Sequence, residues 1–236
     1  SFALRTGLIP VTVPRVVRVM VEGDAGGLVS PKDLILHLIG DPYFREEQWR
    51  QSPTDTCVIQ FGGSGLDQWD LDELSVLTNM TVEGGLMTGV VEPCAPVQSF
   101  LEARRDPSID IAARMVVPDD GADYVREMVV DLSEVPLTVA SPGDSRYRKP
   151  LGDVTDVPIH NVVIASCTGG SYADLKAAAD ILRGRRLAEG VRLTVTPSST
   201  QVAIFSSSSG ASWPISVMMM ASGSAAISSA ISDAEA

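Results

Sequence analysis

The sequence predicts an α/β protein made of two units, each with a mostly parallel sheet. Three observations carry that expectation. Short runs rich in β-branched residues alternate with amphipathic stretches of helical period. Two of the apolar runs, CVIQF and VVIAS, are followed by glycine-rich turns at the point where a helix pattern begins. With 44% hydrophobic residues over 236 positions and a mean hydropathy of +0.16, the chain can bury a core. The expected division is 1–145 and 146–236, with a serine-rich tail at 206–236.

The first strand is Arg15 to Val21, RVVRVMV. A glycine-rich turn, EGDAGGL, follows it. Ser30-Pro31-Lys32-Asp33 then opens a helix, with serine as N-cap, proline at the first helical position and an acid three residues after the cap. That helix should stop near Gly40. His37 lies inside it beside Leu36 and Leu38 and reads as a structural or exposed histidine rather than a ligand. Cys57 to Phe61 is a short buried strand that ends in Gly62-Gly63-Ser64-Gly65. The loop lacks the lysine of a P-loop and the spacing of a dinucleotide fingerprint, so it reads as a tight strand-to-helix turn.

Asp70 to about Glu83 has helical spacing through Leu71, Leu74, Leu77 and Met80. Asn79 and Glu83 are four apart and should project from one side of it, beside the Gly84-Gly85 break. Gly89 to Val91 reads as a strand, Val97 to Arg105 as a short helix and Glu127 to Ser133 as a strand. The turn-rich stretch from Pro136 to Pro158 reads as a linker. The second unit opens at HNVVIAS, continues in a helix from Tyr172 to Arg183 and returns in VRLTVTP, a β-α-β unit with a parallel sheet. From Leu193 to Ser232 there is no Asp, Glu, Lys or Arg, and residues 206–236 hold eleven serines, a composition that reads as low-complexity sequence.

Charge and cysteine content exclude several classes. Eighteen basic against thirty acidic residues give a formal net charge of −12, which lacks the basic footprint a polyanion requires. Three cysteines, Cys57, Cys94 and Cys167, without paired spacing argue against a disulfide framework and fit a reducing, cytoplasmic setting. The N-terminal stretch has no sustained apolar core, so no signal peptide is expected, and no apolar run reaches membrane-spanning length. Neither nucleic acid nor membrane is an expected partner.

Six segments, in order from about Arg15 to Val202, resemble the aconitase superfamily, which takes in aconitase, homoaconitase and the large subunit of isopropylmalate isomerase. They are EGDAGGLVSPKDLILHLIG, CVIQFGGSG, LTNMTVEGG, DLSEVPLTVASPGD, VIASCTGGSYADLKAAADIL and VRLTVTPSSTQV. The resemblance implies an aconitase-like fold of two α/β/α units. It implies that Cys167, in the SCT motif with Thr168, is one of three thiolates on a [4Fe-4S] cluster, and that Asn79 and Glu83, in an NM-x-x-E pattern, lie beside that cluster as catalytic residues. The implied reaction is dehydration and rehydration of a hydroxy di- or tricarboxylic acid, with one iron of the cluster as Lewis acid and a base from a swivelling domain.

The chain departs from the family pattern at three places. No cysteine follows Cys167, where the family's C-x-x-C motif supplies the other two thiolates; WPISVMMMASGS stands there instead. The family's N-terminal D-S-H motif has no counterpart, and His37 and His160 match neither of its roles. Gly169 stands where the family usually has asparagine. The expectation is therefore a hydro-lyase or isomerase component that does not complete a cluster by itself and works with a companion aconitase-like subunit or swivel domain. The alternative is a non-catalytic structural or regulatory subunit with this fold and no cluster.

Overall fold

The computed structural model describes residues 2–9, 11–199, 202 and 217–219. The chain divides between Val154 and Thr155 into two compact units.

The first unit carries a short helix α1 (Phe2–Thr6) and then a four-stranded sheet. Its strands are β1 (Arg15–Glu22), β2 (Cys57–Gly62), β3 (Thr88–Val91) and β4 (Arg126–Asp131), ordered β3-β2-β1-β4 and all parallel. β1 alternates strictly: Val17, Val19 and Val21 are fully buried, and in register Val17 faces Ile59 and Val19 faces Phe61. These residues form one side of the core. The other side comes from α2 (Pro31–Ile39), with Leu34, Ile35, Leu38 and Ile39, and from α4 (Leu71–Met80), with Leu74, Leu77 and Met80. Burying each such side chain stabilises by roughly 1.5–3 kcal/mol.

The opposite face of the sheet is polar at its centre. Arg18, in register with Gln60 and Glu127, donates from Nε (2.8 Å) and Nη2 (3.1 Å) to Glu92. Gln60 adds a 2.7 Å bond to the same carboxylate and a second to the Tyr124 hydroxyl at 3.0 Å.

Helix starts follow the sequence signals. Ser30 caps α2 and Asp70 caps α4, each in a reciprocal capping box with the acid three residues on. A second short helix, α3 (Pro42–Arg45), starts at an Asp41 cap. The helix after β3 is α5 (Ala95–Glu102), two or three residues earlier than the spacing suggests, because Cys94 takes the cap position with Pro96 just inside.

Two elements differ from the sequence reading. The helix expected to reach Glu83 is α-helical only to Met80 and tightens into a 3-10 turn, Thr81–Gly84. Thr81 is buried there, its hydroxyl bonded to the Thr78 carbonyl, and Gly85 closes the turn at φ 76°. The stretch read as a linker contains an antiparallel hairpin, β5 (Thr138–Ala140) with β6 (Arg148–Pro150), packed on α2. Its signal was hidden because each strand is only three residues long.

In the second unit β7 (Asn161–Ile164), β8 (Arg192–Val195) and β9 (Val217–Met219) form a parallel sheet in the order β7-β8-β9. Helix α6 (Tyr172–Leu182) connects β7 to β8 and buries Leu175 and Ala179. The buried cluster is Leu175, Leu193 and Val195. Apart from β9, the serine-rich tail lies outside the described residues. The chain is thus α/β with mostly parallel sheets, as predicted.

Candidate functional site

Glu83 is placed by two glycines. Gly84 lies so close to Ile39 that a Cβ there would meet its Cγ2 at 2.8 Å, and Gly85 takes the left-handed conformation that ends the turn. The chain can therefore leave α4 tightly against α2, which keeps the Glu83 side chain outward and exposed. Asn79 stands exposed in the last turn of α4.

Glu83 borders a cleft of about 430 Å3 in the first unit. The start of α2 supplies Lys32 and Asp33, the end of α4 supplies Met80, and the β5–β6 hairpin supplies Thr138 and Ser145. The Ser145 hydroxyl donates to Glu83 Oε2. Asp33 is fully committed: it accepts from Ser30 at its cap and, through Oδ1, from the Thr138 amide at 2.7 Å. Lys32 is exposed and has no ion pair among the described residues. The cleft thus presents a carboxylate, a hydroxyl and an ammonium, groups able to hold and exchange a proton with a polar ligand. Ser145 carried no sequence signal, because it lies 62 residues from Glu83 and meets it only through the fold.

Cys167 and Thr168 lie in the second unit, on the turn between β7 and α6. Ser166 before them has φ 84°, an uncommon left-handed value for a residue with a side chain. Gly170 is required by contact, since a Cβ would meet the Ser166 carbonyl oxygen at 2.7 Å and that of Thr196 at 3.0 Å. The Gly170 carbonyl accepts from Ser198 N (2.9 Å), tying the turn to the end of β8. Cys167 is exposed, with its Sγ 3.7 Å from the Ser166 hydroxyl, and Thr168 is half-buried. Ser171 caps α6 in a capping box with Asp174.

The other cysteines are placed differently. Cys57 is fully buried in the first core, and burial pushes its thiol up to about 11. Cys94 is half-buried at the start of α5, and burial raises its thiol too. No group of three or more His, Cys, Asp or Glu side chains among the described residues is arranged to hold a metal ion.

A family model for the aconitase family (aconitate hydratase) matches residues 2–157 and 144–215. The chain belongs to the aconitase family. It is 33% identical over 207 residues to the methanogen homoaconitase large subunit of Methanocaldococcus jannaschii, covering 86% of this chain and 47% of the relative. It is 32% identical over 190 residues to the 3-isopropylmalate dehydratase large subunit of Nitratidesulfovibrio vulgaris, covering 80% and 43%. The chain therefore spans less than half the length of these curated relatives. Among solved structures it is similar to aconitase X of Thermococcus kodakaraensis, with a TM-score of 0.43 and 14% identity over 88% of this chain and 43% of that one.

The residues present do not fit the four-iron cluster that the aconitase resemblance implies. That resemblance calls for three thiolates, and only Cys167 is exposed on a turn; Cys57 is sealed in a core with a raised thiol, and no cysteine follows Cys167. Among the described residues no helix is long and apolar enough to cross a membrane.

Proposed function

We propose that this chain is a component of an aconitase-family hydro-lyase that dehydrates and rehydrates a hydroxy di- or tricarboxylic acid. The carrying observation is Glu83: an exposed carboxylate on a glycine-defined turn, bordering a cleft, at the position of the family's NM-x-x-E glutamate. In this reading Glu83 exchanges a proton with the hydroxyl that leaves and returns, and Asn79 orients a polar group beside it. Cys167, with Thr168 next to it, is the one thiolate this chain offers to a cluster, and a companion aconitase-like polypeptide in the cytoplasm supplies the rest.

The single thiolate favours a second reading, a structural or regulatory subunit with this fold and no cluster. One experiment separates the two. The purified chain is reconstituted anaerobically with iron and sulfide, alone and with a companion polypeptide carrying the D-S-H and C-x-x-C motifs. Hydration of unsaturated di- and tricarboxylates is then followed by loss of ultraviolet absorbance. The hydro-lyase reading expects turnover only in the mixture, abolished by Glu83→Gln and by Cys167→Ser. A colourless, inactive mixture selects the non-catalytic reading. About four irons bound by the chain alone would overturn the proposed need for a companion.

A further inference from the structure

Ser145 sits at the tip of the β5–β6 hairpin between two residues that are locked to each other. Asp144 accepts from the Arg146 backbone amide at 2.9 Å and from its guanidinium, Nη2 at 2.8 Å and Nε at 3.1 Å. The guanidinium holds the Asp144 carboxyl below its ordinary value. Ser141 N donates to the Tyr147 carbonyl at 2.6 Å and closes the loop behind it. The hairpin is in turn pinned to α2 at both ends. Thr138 N donates to Asp33, and Arg148 Nε donates to the His37 carbonyl at 3.0 Å. Gly40 allows the second contact, because a Cβ there would meet the Arg148 side chain at 2.6 Å.

These ties fix the backbone on either side of Ser145, and its hydroxyl donates to Glu83 Oε2. An exposed glutamate on a surface turn ordinarily samples several rotamers and loses side-chain entropy when one is selected. Here that selection is made in advance by a neighbouring element. From this geometry we propose that Ser145 is a positioning residue for Glu83. Its hydroxyl holds the carboxylate in one rotamer at the cleft beside Lys32, leaving Oε1 free to face a ligand hydroxyl. The inference deepens the hydro-lyase reading above and rests on it for its catalytic consequence, whereas the hydrogen bond itself can be tested without activity.

The test uses the full 236-residue chain with 13C-labelled glutamate. The Glu83 carboxyl resonance is assigned by its loss in Glu83→Gln. It should shift and broaden in Ser145→Ala and return to its original place in Ser145→Thr, which keeps the hydroxyl. Melting curves of the three proteins should coincide, which sets aside a loss of folding. In the mixture with the companion polypeptide, Ser145→Ala should lower kcat about tenfold with KM near wild type, because the group is misplaced rather than removed. Ser145→Thr should restore it. A Glu83 resonance unchanged in Ser145→Ala overturns the proposal, as does a wild-type kcat in that variant. If the wild-type mixture shows no turnover, the hydro-lyase reading falls and the resonance alone decides for or against the role of Ser145.

Discussion

Among the described residues, the first unit buries two phenylalanines, two tryptophans and a continuous set of aliphatic side chains between sheet and helices, and the second buries Leu175, Leu193 and Val195 as a cluster. The two units hold the Glu83 and Cys167 turns by different means. Glu83 rests on a packed core: its turn follows α4, whose Leu77 and Met80 are buried, and Gly84 is seated on Ile39. The Cys167 turn rests on backbone contacts instead, the close approach of Gly170 to Thr196 and the Ser198 bond to Gly170. Deep packing fixes a turn by excluding alternatives. Hydrogen bonds fix it only while water is kept from competing.

The largest expected effect comes from emptying each core. Phe61→Ala should cost about 3–5 kcal/mol and Leu175→Ala about 2–5 kcal/mol. The consequences should differ more than the energies. Phe61→Ala should leave a folded protein with a lowered melting temperature, whereas Leu175→Ala should erase amide protection across β7, α6 and β8 at room temperature. Hydrogen exchange read by mass spectrometry checks this, and equal protection of both units in Leu175→Ala would break the comparison.

Acid should sharpen it next. Burial pulls the Glu92 carboxyl up, but its bonds from Arg18 and Gln60 outweigh burial and set it below its ordinary value of 4.5. A carboxyl lowered in the folded state adds stability that is complete above the ordinary value and is lost as pH falls through the folded one. The first unit should therefore weaken below about pH 4.5. Arg18→Met should remove about 1–3 kcal/mol at neutral pH and flatten the loss in acid. An acid unfolding profile identical in Arg18→Met and wild type would show that this cluster contributes nothing.

The smallest effect concerns two matched caps. Ser30→Ala and Ser171→Ala each remove the serine of a capping box and should each cost about 1 kcal/mol. In the first unit that is a small fraction of the local stability. In the second it should quicken exchange along the whole of α6, and similar exchange rates in the α2 and α6 variants would break the comparison.

Much of this arrangement was legible in the sequence because the signals are local. Ser30 with Asp33 announces a helix start, and CVIQF and VVIAS followed by glycines announce strands that hand over to turns. Asn79, Glu83, Cys167 and Thr168 were singled out through the family patterns that their segments resemble. What escaped is what only tertiary packing supplies. The Ser145–Glu83 bond spans 62 residues and the Arg18–Glu92 pair 74, and no periodicity encodes either. The hairpin within 136–158 was masked by its prolines, and the 3-10 turn at Glu83 follows from burial of Thr81, which spacing does not reveal.

The strand order β3-β2-β1-β4 has a consequence for how the chain is made. β1 can pair with β2 as soon as Cys57–Gly62 leaves the ribosome, but its other edge waits for Arg126–Asp131. Closing that longer loop costs about 0.8 kcal/mol more chain entropy than closing the first, so β4 is expected to join late. Until it does, the nascent sheet carries Arg15–Glu22 as an open parallel edge, which another chain could pair with. Pairing with Arg126–Asp131 closes that edge and brings Glu127 within 3.7 Å of Arg18, which Glu92 already holds.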